Sequence, residues 1–447
     1  MAEKSYRISM LLNLKNTFFL IFKWILICVL IGVISGSASA FFLVSLDWVT
    51  LFRESNNWII WLMPLGGLTI GLLYHYYGKE VVKGNNLLLE EYENTKKTIP
   101  LKMAPMVLIS TLITHFLGGS AGREGTAVQM SGAIADQFSR LSFRACLPER
   151  VFPSAVEGRE TRGIRNTSDR KTLIILGISA GFASVFGTPM AGALFALEVL
   201  YFSKISFKSV VFSFVVAYVA YFTVEFWQVK HTLYQIPVVP QMTIINFLWV
   251  VIVGVLFGLS AMLFSRTTHF WGRLFSKTIQ YPPLRPFAGG LILAIAIYFI
   301  GTTKYIGLGI PSIIESFSTT NEWYDFLLKI AFTGFTLGAG FKGGEVTPLF
   351  FIGATLGSAL SLIIPLPIAL LAGLGFVAVF SGATHTPIAC TVMGMELFGM
   401  ESGIFIGIAC IVAYFSSGSK GIYHSQIVRG AKHHLYQRIK SQNLDHF

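Results

Sequence analysis

An arginine and a glutamate stand side by side in a glycine-rich segment between two strongly apolar runs. The segment is Gly118–Thr126, and the charged residues are Arg123 and Glu124. A carboxylate at membrane depth is costly, so it marks a functional site by default. Glycines let backbone amides approach a small ligand, and a helix that starts here aims its amides at an anion. The segment predicts an anion site with a titratable carboxylate beside it; an arginine–glutamate pair at the end of a span is the alternative.

A second glycine-rich segment repeats the combination of an acid and a base. Gly338–Pro348 contains Lys342 and Glu345 and lies directly before another apolar run. Proline suits the first turn of a helix and Thr347 suits its cap, so we expect a helix to begin here. The alternative for Glu345 is an acid that the helix macrodipole favours.

Asn85 and Tyr423 give weaker signals. Asn85 lies in Gly84–Leu87 after a polar turn, and its amide, with nearby backbone donors, is suited to an anion. An asparagine that caps a helix after a turn is the alternative. Tyr423 follows the last apolar run, where a phenol is a neutral donor to an anion. An interfacial tyrosine of an aromatic belt is the alternative there.

Membrane-spanning helices must position these residues. Of the 447 residues, 53% are hydrophobic and 13% are charged, whereas a soluble domain carries about 25% charged residues. Spanning strands would show short alternating segments, so the long uncharged tracts predict helices. Several tracts are too long for one span and others too short, which indicates broken or tilted helices. The tracts are Phe18–Val49, Trp58–Tyr77, Met103–Leu117, Leu173–Phe202, Val210–Trp227, Ile244–Phe264, Phe287–Ile300, Phe350–Phe380 and Gly403–Tyr414.

The net charge of +12 follows from membrane topology. Basic residues precede the first tract and follow the last, which predicts a multi-pass protein of the cell membrane with both termini in the cytoplasm. No basic patch lies in a soluble domain, so nucleic-acid binding is not expected. Scattered cysteines, isolated His115 and His385, and the lack of a His-Glu-x-x-His pattern predict no metal and no cofactor.

Two segments with the same order of residues indicate an internal repeat. Thr188-Pro189 is followed by Glu198, and Thr386-Pro387 is followed by Glu396, each glutamate nine positions after its proline. The repeat predicts two transmembrane halves, 1–229 and 242–447, joined by a linker at 230–241 and with a polar aqueous loop at 144–171 in the first half. Transporters with two related halves place the substrate where broken helices meet. We expect Glu198 and Glu396 to bind backbone amides or an internal partner, and Asp136 to make a structural contact.

These segments, in this order, resemble the anion-pore motifs of the CLC superfamily of chloride channels and proton-coupled antiporters. Gly122–Thr126 resembles the G-R-E-G-P motif, and Gly344–Pro348 resembles G-x-F-x-P with Val346 for phenylalanine. Gly84–Leu88 stands where the family has G-S-G-I-P, and Tyr423 falls at the family's pore tyrosine. The resemblance covers nearly the whole chain. It implies an all-α polytopic membrane protein with two inverted-topology repeats and broken helices, which assembles as a homodimer.

The departures from these motifs are similar to the fluoride-exporting CLC-F branch. Asn85 replaces a serine, Thr126 replaces a proline, and Glu345 lies in the second motif. Val199 occupies the position of the inner proton glutamate of chloride antiporters, so the resemblance implies another inner proton route, with Glu345 as the replacement.

The resemblance implies fluoride export in exchange for protons, with fluoride, protons and the lipid bilayer as partners. Gating and proton transfer are assigned to Glu124, Glu345 and Thr347. Anion binding is assigned to Asn85, Asn86, Gly122, Arg123, Gly125, Val346 and Tyr423. A chloride or nitrate transporter or passive channel of the same fold is the nearer alternative. A membrane-embedded enzyme with Glu124 and Glu345 as an acid–base pair is the remote one, and an enzyme is not predicted.

Overall fold

The computed structural model describes residues 2–140, 167–200 and 205–426, together with residues 432 and 436. Within these ranges the chain is almost entirely helical. The first part contains a short 3-10 helix at Asn57–Leu62 and the α-helices α1 (Ala2–Glu54), α2 (Met63–Tyr76), α3 (Asn85–Glu93), α4 (Met103–Phe116), α5 (Glu124–Gln137), α6 (Thr167–Phe186), α7 (Pro189–Val199) and α8 (Phe207–Phe226).

The second part begins after an extended connection at 229–243, which includes the predicted linker. A 3-10 turn at Met400–Ser402 precedes its last helix. The α-helices are α9 (Ile244–Thr278), α10 (Leu284–Ile300), α11 (Ile310–Glu315), α12 (Asp325–Ala339), α13 (Val346–Leu360), α14 (Ile368–Thr384), α15 (Pro387–Phe398) and α16 (Gly403–Ser416).

Four helical segments in the described ranges are long and apolar enough to cross a bilayer, and many others are short apolar helices. The long ones are Phe18–Glu54, Asn57–Tyr76, Phe207–Phe226 and Ile244–Thr278. A short helix cannot cross about 30 Å of hydrocarbon alone at 1.5 Å per residue. Pairs of short helices must therefore meet end to end inside the protein, which confirms the prediction of broken helices.

Two predicted tracts are each divided into two helices. Leu173–Phe202 breaks where Gly187 adopts a positive φ of 72° and Pro189 begins α7. A glycine in this conformation ends a helix, and a proline suits the first turn of the next. Phe350–Phe380 breaks between α13 and α14, where Pro365 and Pro367 lie. Both breaks agree with the prediction that a tract too long for one span contains a broken helix.

The list of apolar tracts missed α12 and α5. Asp325 and Lys329 interrupt the apolar pattern of α12, and Glu124 and Asp136 do the same in α5. Most of the predicted polar loop at 144–171 lies outside the described residues. Its end is wrong, since α6 already begins at Thr167.

Glycines bring the short helices into close contact in both parts of the chain. Gly132 of α5 faces Gly177 of α6, where an added Cβ on Gly177 would lie 2.7 Å from the Gly132 Cα. Gly353 of α13 and Gly375 of α14 touch through their backbones in the same way. Small residues at such crossings allow helices to pack closely in a membrane. The crossings fix the directions of α5 and α13, whose first residues form the site.

Glu198 and Glu396 tie the two parts together reciprocally. The carboxylate of Glu396 accepts from the backbone N–H groups of Met190 (3.0 Å) and Ala191 (2.8 Å) at the start of α7. The carboxylate of Glu198 accepts from Ile388 (3.0 Å) and Ala389 (2.8 Å) at the start of α15. Helix N-termini have unpaired N–H groups that carboxylates satisfy. The expectation that both acids bind backbone amides is confirmed, whereas the boundaries 1–229 and 242–447 stay a prediction.

Asp136 makes the structural contact that the sequence predicted. It is buried, and its carboxylate accepts from Arg170 Nε (2.7 Å) and from the backbone N–H of Ile99 (2.7 Å). Arg170 also contacts Glu91 (3.1 Å) and the carbonyl of Lys97. This network joins the ends of α3 and α5 to the start of α6.

Candidate anion site

The two glycine-rich segments meet in an antiparallel bridge. The Gly122 N–H donates to the Gly344 carbonyl (2.6 Å), and the Gly344 N–H donates to the Gly122 carbonyl (2.7 Å). An added Cβ on Gly344 would lie 2.7 Å from the backbone nitrogen of Gly125. Only glycine fits at this approach. The bridge places the N-termini of α5 and α13 side by side, so their free N–H groups converge.

The carboxylate of Glu124 occupies the start of α13. It is 1% exposed. Its Oε1 accepts from Thr347 Oγ1 (2.5 Å), and its Oε2 accepts from the backbone N–H of Thr347 (3.0 Å) and of Arg123 (3.1 Å). Backbone donors at a helix N-terminus form a ready site for an anion. The carboxylate therefore takes the place of a small anion within its own protein.

Arg123 contributes mainly through its backbone. Its guanidinium Nε lies 3.7 Å from Glu124 Oε1, which is beyond hydrogen-bond distance. The contacts from Thr347 are shorter, so the simple neighbour pair at the end of a span does not account for Glu124.

A cavity of about 1050 Å³ opens beside this cluster. Four residues that the sequence selected line it: Asn85, Asn86, Glu345 and Tyr423. The other six, which are Gly122, Arg123, Glu124, Gly125, Val346 and Thr347, are not among its lining residues. The candidate residues therefore form two groups, a cluster around the Glu124 carboxylate and a cavity next to it. We call them the gate cluster and the vestibule.

The vestibule is strongly basic. Its lining includes one carboxylate, Glu345, and five lysines or arginines: Lys83, Lys342, Lys420, Arg266 and Arg273. Like charges that line a concave surface raise the local concentration of counter-ions. The vestibule is therefore suited to collect anions. Sequence reasoning did not select Arg266 and Arg273, because their helix α9 carries no local motif.

Glu345 lies between the vestibule and the gate cluster. It is partly buried and is the residue directly before α13, without a side-chain hydrogen bond to the helix start. The predicted position at a helix start is confirmed. Because it precedes Val346 and Thr347, it stands on the same chain segment as the donors that hold Glu124.

Asn85 approaches the gate cluster directly. It is the first residue of α3, and Gly84 occupies the cap position, so the alternative of an asparagine that caps the helix is wrong. An added Cβ on Gly125 would lie 3.0 Å from Asn85 Nδ2, and Asn85 Oδ1 is buried without a hydrogen-bond partner in the described part of the chain. The amide therefore abuts the backbone next to Glu124.

Asn86 and α14 hold the turn that carries Tyr423. Asn86 Oδ1 accepts from the backbone N–H of Ser425 (3.0 Å), and the Ile422 N–H donates to the Ala383 carbonyl (2.9 Å). Tyr423 is 9% exposed, so it is enclosed rather than placed in an interfacial belt. It lines the vestibule, where a phenol is suited to donate to an anion.

The remaining polar candidates, which are Thr126, His115 and His385, are buried between helices. The Thr126 hydroxyl lies 2.8 Å from the hydroxyl of Thr111, so the residue that replaces the family's proline binds α4. His115 and His385 are buried, and no group of three potential metal ligands occurs in the described ranges.

Comparison with known proteins identifies the family of this chain. A family model described as voltage gated chloride channel matches residues 66–418. The chain belongs to the voltage-gated chloride channel (CLC) family. This confirms the resemblance found in the motifs, and the helical architecture described above is the CLC fold.

Individual relatives of this CLC protein span nearly its full length. A chloride/fluoride channel protein of Pseudomonas syringae pv. tomato is 47% identical over 95% of this chain and 91% of the relative. The voltage-gated ClC-type chloride channel ClcB of Escherichia coli O81 is 27% identical over 92% of this chain and 100% of the relative. A crystal structure of a CLC-type fluoride/proton antiporter has a TM-score of 0.84 at 34% identity, over 92% of this chain and 98% of that one.

Proposed function

We propose that this CLC protein exports fluoride in exchange for protons. The contact of Glu124 with Thr347 carries the proposal, because a titratable carboxylate occupies the place that an anion would take. The 47% identical relative is named a chloride/fluoride channel protein, and the similar crystal structure is that of a CLC-type fluoride/proton antiporter. Both support fluoride as the substrate and protons as the coupled ion.

Competition for one set of donors couples the two ions. While Glu124 is ionised, it holds the donors of Thr347 and Arg123 and excludes an anion. Once protonated, it loses the charge that binds it there, so an anion takes the donors and the side chain carries its proton away. Each ion then moves only when the side chain changes place, which is an alternating-state mechanism.

The donors are suited to a compact anion. Fluoride is small and strongly hydrated, so its dehydration must be offset by several close hydrogen bonds. Charge-assisted hydrogen bonds are shorter and about twice as strong as neutral ones. We assign anion contacts to the backbone of Gly122, Arg123, Gly125 and Val346 and to the side chains of Asn85 and Tyr423, with Asn86 placing the Tyr423 turn.

Glu345 is the proposed inner proton carrier. It lines the vestibule and adjoins the segment that binds Glu124. In this role it replaces the glutamate that chloride antiporters carry at the position of Val199. Thr347, between the two acids, holds Glu124 and passes the proton.

The proposal also covers the oligomeric state and the membrane topology of the protein. We propose a homodimer in the cell membrane, with one transport site per subunit, both termini in the cytoplasm, and two inverted repeats at 1–229 and 242–447. The basic vestibule then faces the cytoplasm, where fluoride is collected for export.

Paired electrode measurements on liposomes test the proposal. Vesicles loaded with fluoride and containing the purified protein should release fluoride and take up protons together. Glu124→Gln should abolish proton movement, because the neutral amide cannot titrate, while Glu401→Gln at an exposed site serves as the matched control. Coupled exchange that persists in Glu124→Gln would contradict the assigned gate.

The competing function is that of a chloride transporter or passive channel. It is favoured by the 27% identical relative, which is named a chloride channel. The same vesicles loaded with chloride separate the two. Chloride efflux faster than fluoride efflux, or fluoride efflux without proton uptake, would favour it.

A further inference from the structure

Gln129 is a buried polar residue that the assignments above leave without a role. It lies on α5, is 7% exposed, and lines the vestibule together with Asn85, Glu345 and Tyr423. Among the described residues, its carboxamide takes part in no side-chain hydrogen bond. Because the residue lines the cavity, its amide is available to a ligand or to water there.

The start of α3 lies along the face of α5 that carries Gln129. Gly125 and Gln129 are four residues apart, so they share one face of the helix, about 6 Å apart along its axis. Asn85 Nδ2 abuts Gly125, as described above. An added Cβ on Gly84 would lie 3.1 Å from Gln129 Oε1 and 3.2 Å from Nε2. The side-chain amides of Asn85 and Gln129 are therefore neighbours along the surface of α5.

Gln129 therefore lies in the wall of the vestibule, about one helical turn from Gly125. Gly84 has a positive φ of 57°, a conformation that glycine adopts readily, and its lack of a Cβ lets the Gln129 amide lie close to it. A larger residue at position 84 would press on that amide. An anion in the vestibule therefore has the side-chain amides of both Gln129 and Asn85 within the wall of the cavity.

We infer that Gln129 is a specificity-determining residue whose Nε2–H group binds the anion in the vestibule, one helical turn from Gly125. The inference rests on the proposed transport function and adds a second side-chain amide to it. A strongly hydrated anion gains most from such a donor, because each lost water must be replaced. A neutral amide supplies the hydrogen bond without a charge that would hold the anion too tightly to release.

Gln129→Met tests the role, because methionine has a similar length and no donor. In the liposome assay, we expect the KM for fluoride to rise about threefold to tenfold, the range of one neutral hydrogen bond. The fluoride-to-chloride ratio should fall, while the proton-to-fluoride stoichiometry stays that of the wild type. Fluoride titrations of the detergent-purified protein should show the same loss of affinity.

Gln137→Met is the matched control on the same helix. The Gln137 amide already donates to the carbonyls of Ile99 (2.7 Å) and Ala133 (2.9 Å), so its loss should lower stability without a change in KM. Should Gln129→Met fail to fold, Gln129→Glu keeps the shape, and its carboxylate should weaken fluoride binding further.

The outcomes separate this inference from the proposed function. If the wild type releases no fluoride, the transport proposal fails. If the wild type transports and Gln129→Met retains its KM and anion ratio, or loses only its maximal rate, Gln129 merely fills space and the inference is overturned.

Discussion

Removal of the Thr347 hydroxyl tests whether the hydrogen bonds that hold the Glu124 carboxylate control the coupling of fluoride transport to proton transport. Thr347→Val keeps the size and the branching of the side chain and retains the backbone N–H, which lies 3.0 Å from Glu124 Oε2. It removes only the hydroxyl, whose Oγ1 lies 2.5 Å from Glu124 Oε1. One of the three hydrogen bonds that hold the carboxylate is thereby lost.

The magnitude follows from the type of bond. A hydrogen bond to a charged group contributes about 1.5–3 kcal/mol, and a factor of ten corresponds to about 1.4 kcal/mol. The Arg123 guanidinium is too distant, at 3.7 Å, to replace the lost donor. We therefore expect the population of the released, ionised gate to rise about 10- to 150-fold.

When the ionised Glu124 carboxylate leaves the donors of Thr347, fluoride passes without a proton in exchange. In liposomes followed with fluoride and pH electrodes, Thr347→Val should release more fluoride per proton taken up than the wild type. Thr355→Val is the matched control, since Thr355 lies buried on the same helix and its hydroxyl donates to the Phe351 carbonyl (2.8 Å). A folded Thr347→Val protein with wild-type stoichiometry would refute the competition mechanism.

Three further substitutions test other parts of the reasoning. Asn85→Ser should raise chloride efflux relative to fluoride efflux, because a shorter hydroxyl replaces the amide beside Gly125; an unchanged ratio would reduce Asn85 to a turn residue. Gly344→Ala should abolish transport, since its Cβ would meet the Gly125 nitrogen and open the bridge, whereas Gly272→Ala, with nothing within 4 Å, should be silent. Arg170→Met should lower the free energy of unfolding by about 3–5 kcal/mol, because it leaves the buried Asp136 carboxylate without its charged partner; a denaturant titration with wild-type stability would contradict this.

The reciprocal caps formed by Glu198 and Glu396 explain why two partly buried acids are tolerated in an apolar protein. Each carboxylate accepts two backbone N–H groups of a helix from the other part of the chain. A buried charge is acceptable when hydrogen bonds satisfy it. Each acid therefore fixes the start of the opposing helix, and neither is free to carry protons while it does so.

The sequence by itself determined the features that depend on local chemistry. Low charge and long apolar tracts indicated a membrane protein, and the excess length of those tracts indicated broken helices. Thr-Pro pairs marked the starts of α7 and α15, and the glycine-rich segments marked the starts of α5 and α13. These features are readable because helix caps, breaks and apolar periodicity are set by neighbouring residues.

The tertiary structure alone decided which of these helix ends meet. Glu124 binds Thr347 across 223 positions of the chain, a contact that no local pattern specifies. The division of the candidates between gate cluster and vestibule, and the place of Gln129 beside Gly84, likewise depend on how α3, α5 and α13 pack. Such contacts follow from close packing between distant segments, where glycines let backbones touch, and a linear pattern does not record which segments those are.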